Sequence, residues 1–132
     1  MTRREYAAIT IAMLCLWTIA QCVPDTTIMN VLCNAAVFTS GDPFAISLDY
    51  VLQELETVTS TRRNYDYSNI SPYPNAFAYG HAACNTNLTT SDCNTCLAAA
   101  KTALFTTCQS RIGARSSLRD CGLRYEQYPF DD

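Results

Sequence analysis

Histidine is almost absent from this chain of 132 residues; His81 is the only one. No paired-carboxylate motif accompanies it, so covalent or acid–base catalysis has no nucleophile–base arrangement to draw on. A lone histidine reads as a surface or packing residue, and an enzyme is the weakest of the functional classes. Positive charge is scarce as well. Nine lysines and arginines stand against twelve acidic residues, and the chain beyond residue 22 offers no basic cluster. Phosphate backbones are gripped by clustered cations, so nucleic acid is a poor partner for this chain. Hydrophobic runs of spanning length are missing beyond the first residues, which argues against a membrane anchor. There is no internal repeat.

The first 22 residues, MTRREYAAITIAMLCLWTIAQC, have the layout of a secretory signal peptide. Arg3 and Arg4 give a basic start, an apolar run follows from Ala7 to Ala20, and small residues stand where cleavage would fall. Cleavage after Ala20 would leave Cys22 as an odd thiol. Cleavage after Cys22 would leave residues 23–132 as a single domain of 110 residues with an even number of cysteines. That remainder carries seven cationic and eleven acidic side chains.

Its six cysteines are Cys33, Cys84, Cys93, Cys96, Cys108 and Cys121. The stretch CNTNLTTSDCNTC, from Cys84 to Cys96, admits three chemistries. The spacing Cys93-x2-Cys96 could begin a zinc site, with Cys108 and Cys121 as further ligands. It could be a redox pair at a helix start, although the surrounding βαβ pattern is missing. An exported address favours disulfides over both. Cys93 can reach back to Cys84 across a loop of about ten residues, worth roughly 3 kcal/mol in chain entropy. Six cysteines allow 15 pairings, among which spacing does not choose. The sequons Asn87-Leu88-Thr89 and Asn69-Ile70-Ser71 permit N-glycosylation, the second weakened by Pro72.

Two helices are legible. Asp42 can cap the first and Pro43 suits its first turn. Phe44, Leu48, Val51, Leu52 and Leu55 then recur on one face. Ser91 or Thr90 can cap the second, where Cys93, Cys96, Leu97, Ala100 and Leu104 share a side. Extended segments suit Ile28–Val31, Ala35–Phe38 and Ala76–Ala83. Residues 63–80, rich in Tyr, Asn, Ser and Pro, read as irregular surface. Near the end, Cys121, Leu123 and Tyr125 alternate with Gly122, Arg124 and Glu126, which predicts a hairpin turning about Asp120 and Cys121. That register sets Arg115 directly across from Glu126, on one face. The whole suggests an α+β domain with helices on one antiparallel sheet.

The spacing C-x8-C-x2-C inside YGHAACNTNLTTSDCNTCLAAA, together with CNAAVF, IGAR and C-x3-YEQYPF, resembles the plant cysteine-rich antifungal domain, the ginkbilobin-like family. The likeness runs from about Cys33 to Phe130. The same domain occurs in tandem outside the membrane in cysteine-rich receptor-like kinases and plasmodesmata-located proteins. The resemblance implies two helices on a five-stranded antiparallel sheet, with bridges Cys33–Cys108, Cys84–Cys93 and Cys96–Cys121. In ginkbilobin an Asn, an Arg and a Glu bind mannose, and the matching positions are Asn34, Arg115 and Glu126.

These three residue types suit a sugar. Neighbouring hydroxyls both donate and accept, Arg offers a fork of donors, Glu two acceptors and Asn one of each. Without the resemblance, Arg115 and Glu126 would be an ordinary cross-strand ion pair. Tyr125, Tyr128 or a tyrosine of residues 65–79 could add stacking. Ser117 departs from the polar amide of ginkbilobin-like chains, which alters the edge of the site. The implied function is a secreted defence protein that binds mannose or mannan of fungal cell walls and needs no cofactor. The alternative is a secreted module that docks to cell-surface receptor-like proteins without binding sugar.

Overall fold

The computed structural model describes residues 23–132, so the expected signal segment lies outside the described residues. Strand β1 (Ile28–Cys33) is followed by helix α1 (Pro43–Val58), strands β2 (Asp66–Ile70) and β3 (Tyr79–Cys84), helix α2 (Thr90–Thr107), and strands β4 (Ala114–Leu118) and β5 (Cys121–Glu126). The strands form one five-stranded antiparallel sheet in the order β1-β4-β5-β3-β2. Both helices pack on the same face of it.

Helix α1 begins as its sequence dictates. Asp42 has extended backbone, its Oδ1 accepts a hydrogen bond from Phe44 N at 2.9 Å, and Pro43 opens the first turn. Its apolar stripe of Phe44, Leu48, Val51, Leu52 and Leu55 is buried throughout. Each such side chain contributes about 1.5–3 kcal/mol of transfer free energy. Helix α2 starts earlier than its sequence suggests. Thr89, not Thr90 or Ser91, is the cap, and its Oγ1 accepts from Asp92 N at 3.1 Å. Three successive hydroxyl residues can each cap, and the Thr89 start places Asp92 in the first turn, where its charge favours the helix dipole. Ala100 lets α2 approach the sheet closely enough for the Ser116 hydroxyl to donate to its carbonyl at 2.9 Å.

Two readings of the extended segments change. Residues 66–70 are strand β2 rather than irregular surface: Tyr67 and Asn69 turn toward the helices while Asp66, Ser68 and Ile70 turn out. Tyr67 donates to Glu54 on α1, and Asn69 Nδ2 donates to the Val51 carbonyl at 3.2 Å. Residues 35–38 contribute only the single bridge Val37 to Arg111, because the strand ends at Cys33.

The cysteines are joined as Cys33–Cys108, Cys84–Cys93 and Cys96–Cys121. The last two tie α2 to β3 and β5, and the first ties the end of β1 to the end of α2. Cys93 and Cys96 go to different partners, so neither a shared metal nor a mutual redox bridge uses that spacing. Among the described residues no helix is long and apolar enough to cross a membrane.

Candidate functional site

The helices leave one face of the sheet uncovered. Strand register sets its side chains in rungs. One rung runs Leu32, Arg115, Arg124, His81, Ser68 across all five strands. The next contains Glu126, Tyr79 and Ile70, with Asn34 bonded to Gly113 at its β1 end through Asn34 N to Gly113 O, 2.9 Å. Asn34, Arg115 and Glu126 therefore come together. With Leu32, Gly113, Ala114 and Arg124 they line a cavity of about 380 Å³.

Asn34 is held by its neighbours on every side. Cys33 before it is bridged to Cys108, Arg111 Nη1 donates to its carbonyl at 3.0 Å, and its Oδ1 accepts from Ala36 N at 3.0 Å. Glu126 sits deeper, with 8% of its surface exposed. Its Oε1 pairs with Arg124 Nε at 3.3 Å, while Oε2 is buried without a partner among the described residues. Gly113 makes this placement feasible, since a Cβ there would stand 1.9 Å from Oε2.

The hairpin register differs from the sequence reading. Arg115 lies opposite Arg124, and Ala114 opposite Tyr125, because the chain turns one residue sooner, through Arg119 and Asp120, which moves each cross-strand partner by two. That turn is pinned from both sides: Asp25 N donates to Asp120 Oδ2 at 2.6 Å and Asn85 N to Asp120 O at 2.7 Å. A shift of two keeps every side chain on its face. Arg115 and Glu126 still share the open face, but diagonally, and they are not each other's ion pair. Arg115 Nη2 donates to Asp132 Oδ1 at 2.6 Å.

Arg124 and Asp132 are the site residues that sequence reasoning missed. Arg124 was legible, since it alternates with Tyr125 on the face that carries Glu126. Asp132 gives no local signal; it returns to the sheet only because the chain folds back after Glu126. Arg124 Nη1 donates to Asp132 Oδ1 at 2.6 Å, and its guanidinium lies 4.0 Å from the centroid of Phe130. His81 also has partners: Nε2 is 2.8 Å from Asp66 Oδ1 and Nδ1 is 3.2 Å from Asp132 Oδ2. Burial pushes the Asp132 carboxyl up, but hydrogen bonds from Arg124 and His81 and the charge of Arg115 outweigh it and hold Asp132 below its usual range. Burial also works to lower Arg124, yet Asp132 and Glu126 leave it raised.

Tyr125 is not available for stacking. It is 3% exposed on the helix side, its hydroxyl donates to the Arg111 carbonyl at 2.8 Å, and burial pushes it up to about 12, helped by the Glu126 charge. Tyr128 is exposed. Of the two sequons, Asn87 is exposed on the loop before α2, whereas the Asn69 amide is turned into the domain with Oδ1 buried. A glycan on Asn69 would have to be attached to the Nδ2 that donates to the Val51 carbonyl. No group of three or more His, Cys, Asp or Glu side chains among the described residues is placed to hold a metal.

Comparison with known proteins agrees with this fold. Residues 32–128 match the family described as salt stress response/antifungal. The chain is 35% identical over 109 residues to an antifungal ginkbilobin-like protein of Picea abies, covering 81% of this chain and 99% of that one. It is 35% identical over 108 residues to the antifungal protein ginkbilobin-2 of Ginkgo biloba, covering 80% of each. Two solved tandem DUF26 ectodomains of Arabidopsis thaliana cysteine-rich receptor-like proteins have the same fold. PDLP8 aligns with a TM-score of 0.65 at 28% identity, over 78% of this chain and 46% of that one. PDLP5 aligns with a TM-score of 0.71 at 21% identity, over 79% and 51%. The chain thus spans about half the length of those ectodomains. It belongs to the salt stress response/antifungal family, the cysteine-rich ginkbilobin-like domains found also in receptor-like ectodomains, and is a secreted, extracellular member of it.

Proposed function

We propose that this protein is a non-enzymatic plant defence domain that acts by recognition outside the cell, docking to receptor-like proteins that carry the same kind of domain. The observation that carries this reading is the outer edge of the sheet. Among the described residues strand β1 pairs only with β4, so its other side presents unpaired backbone groups, and Ile28, Met29 and Leu32 are each more than half exposed. An exposed apolar edge is a template for a further strand or a partner surface. The ectodomains of similar fold carry two such domains in tandem, which supports association between domains of this kind. The antifungal relatives support a role against fungi. The test is binding of the oxidised protein to a receptor-like tandem ectodomain, with Met29→Lys and Leu32→Lys alongside. Binding lost in both variants with the fold intact supports the reading, and binding unchanged in both sinks it.

A second reading rests on a different observation, the unpartnered Oε2 of Glu126 in the cavity lined by Asn34, Arg115 and Arg124. A buried acceptor without a donor costs about 1–3 kcal/mol, and a sugar hydroxyl would satisfy it. Mannose or mannan is the ligand that the ginkbilobin likeness suggests. Titration with mannotriose and mannan, with Asn34→Ala and Glu126→Gln as variants, tests it. Saturable binding lost in both variants supports the site. The absence of any binding by the parent removes mannan as the ligand.

A further inference from the structure

After Glu126 the chain turns back over the open face of the sheet. Phe130 lies against the Arg124 guanidinium, and the Asp132 carboxylate reaches the middle of the rung of Arg115, Arg124 and His81. Oδ1 accepts from Arg115 and Arg124 at 2.6 Å each, and Oδ2 lies 3.2 Å from His81 Nδ1. Side chains from three strands converge on one carboxylate. The register explains why an anion belongs there. Arg115 and Arg124 are directly opposed, and like charges in that position repel unless a counter-charge stands between them. Asp132 supplies it, with its side chain only 19% exposed. No disulfide holds this segment, because Cys121 is the last cysteine.

Resting on the glycan reading of this face, we infer that the ligand is an acidic sugar. A uronate carboxylate displaces that of Asp132 between Arg115, Arg124 and His81, and a hydroxyl of the same ring donates to Glu126 Oε2. Charge balance separates this from a neutral sugar. A neutral ligand that displaced Asp132 would leave two opposed guanidiniums sharing Glu126 alone. A ligand carboxylate restores the balance and inherits bonds already formed in its shape. The neighbouring cavity separates it from an acidic peptide. Arg115 and Arg124 line both the carboxylate position and the cavity that holds Glu126. A peptide's second carboxylate would meet Glu126 there, whereas the sugar ring whose own carboxylate is bound presents hydroxyls. The segment 127–132 is thus a strap that fills the site in cis with the group the ligand brings.

The experiment titrates the oxidised secreted protein at low salt with a galacturonate trisaccharide, mannotriose and triglutamate. Parent, Asp132→Asn and Arg124→Gln are compared, with the fold of each checked by circular dichroism. The trisaccharide of galacturonate is expected to bind at least about tenfold tighter than the other two, the ratio expected for charged hydrogen bonds. Asp132→Asn should tighten that ligand alone, by about tenfold, since a competing carboxylate is removed. A merely structural role for Asp132 would not improve affinity. Arg124→Gln should abolish binding. Equal binding of galacturonate and mannotriose, or mannotriose alone, overturns the acidic-sugar inference and leaves the glycan reading standing. Equal binding of triglutamate makes the rung a general anion patch and overturns it too. No binding of either sugar to parent or Asp132→Asn overturns both.

Discussion

The two faces of the sheet are made by the same strands and could hardly differ more. The helix side carries Ala82, Ala114, Leu118, Leu123 and Tyr125 under α1 and α2, with the bridges Cys84–Cys93 and Cys96–Cys121 running between α2 and the strands. The open side carries Arg115, Arg124, His81 and Glu126, with only the chain's last residues laid over it. Period-two alternation puts one set in and the other out. One face therefore holds the fold and the other is free to be chemically specific. A residue's effect when changed should follow its face, not its strand.

The largest expected difference is Phe44→Ala against Arg115→Ala. Phe44 is fully buried between Phe38, at 5.2 Å between ring centroids, and Tyr125, at 6.4 Å. Its loss should cost about 3–5 kcal/mol. Arg115 is 41% exposed in an ion pair, and its loss should cost less than about 1 kcal/mol. Urea unfolding with disulfides intact measures both. Similar losses would mean that the open face carries the fold as well, and the division would fail.

Two glycines give a finer comparison. Gly80 of β3 faces the helices, and a Cβ there would stand 2.5 Å from Val51 Cγ1 and 2.8 Å from Leu55 Cδ1. Gly122 of β5 faces out, and its Cβ would meet only the Ser116 carbonyl at 3.6 Å, an ordinary contact. Gly80→Ala should destabilise by about 1–3 kcal/mol through overpacking. Gly122→Ala should be neutral or stabilising by up to about 1 kcal/mol, since alanine loses less conformational freedom in a strand. Equal thermal midpoints for the two variants would show that α1 yields at Val51 rather than resisting.

The helix side was also the legible side. Asp42, Pro43 and the stripe from Phe44 to Leu55 carry local signals, because capping and period depend on neighbours in sequence. Strand β2 was hidden for a physical reason. DYSNI puts its one aliphatic residue, Ile70, on the outer face and the polar Asn69 on the inner one, where Asn69 and Tyr67 hydrogen-bond to α1, so no hydrophobic alternation announces it. On the open face, the residue types of Asn34, Arg115 and Glu126 suggested a polar site, but the hairpin register did not follow from them. The turn is fixed by Asp25 and Asn85, which are distant in sequence. The strap is legible only in three dimensions, since nothing in EQYPFDD says that Asp132 meets Arg115 and Arg124.

The smallest effect tests whether the strap is held by charge. Asp132 lies below its ordinary value of 3.8, so the folded protein takes up that proton less readily than the unfolded chain. Its contribution to stability is fully present above the ordinary value and is lost as pH falls through the folded one. Asp66 and Glu126 are further carboxylates of the open face, so the parent alone would report a mixture. The gap between parent and Asp132→Asn isolates the term. Near pH 6 it should be below about 1 kcal/mol, as for other partly exposed pairs, and it should shrink as the pH falls below the ordinary carboxylate value. Urea midpoints at falling pH measure it. A gap that does not shrink in acid would mean that shape and neutral hydrogen bonds hold the strap, in which case a ligand carboxylate gains nothing by resembling Asp132 and the two faces differ less in their physics than in their composition.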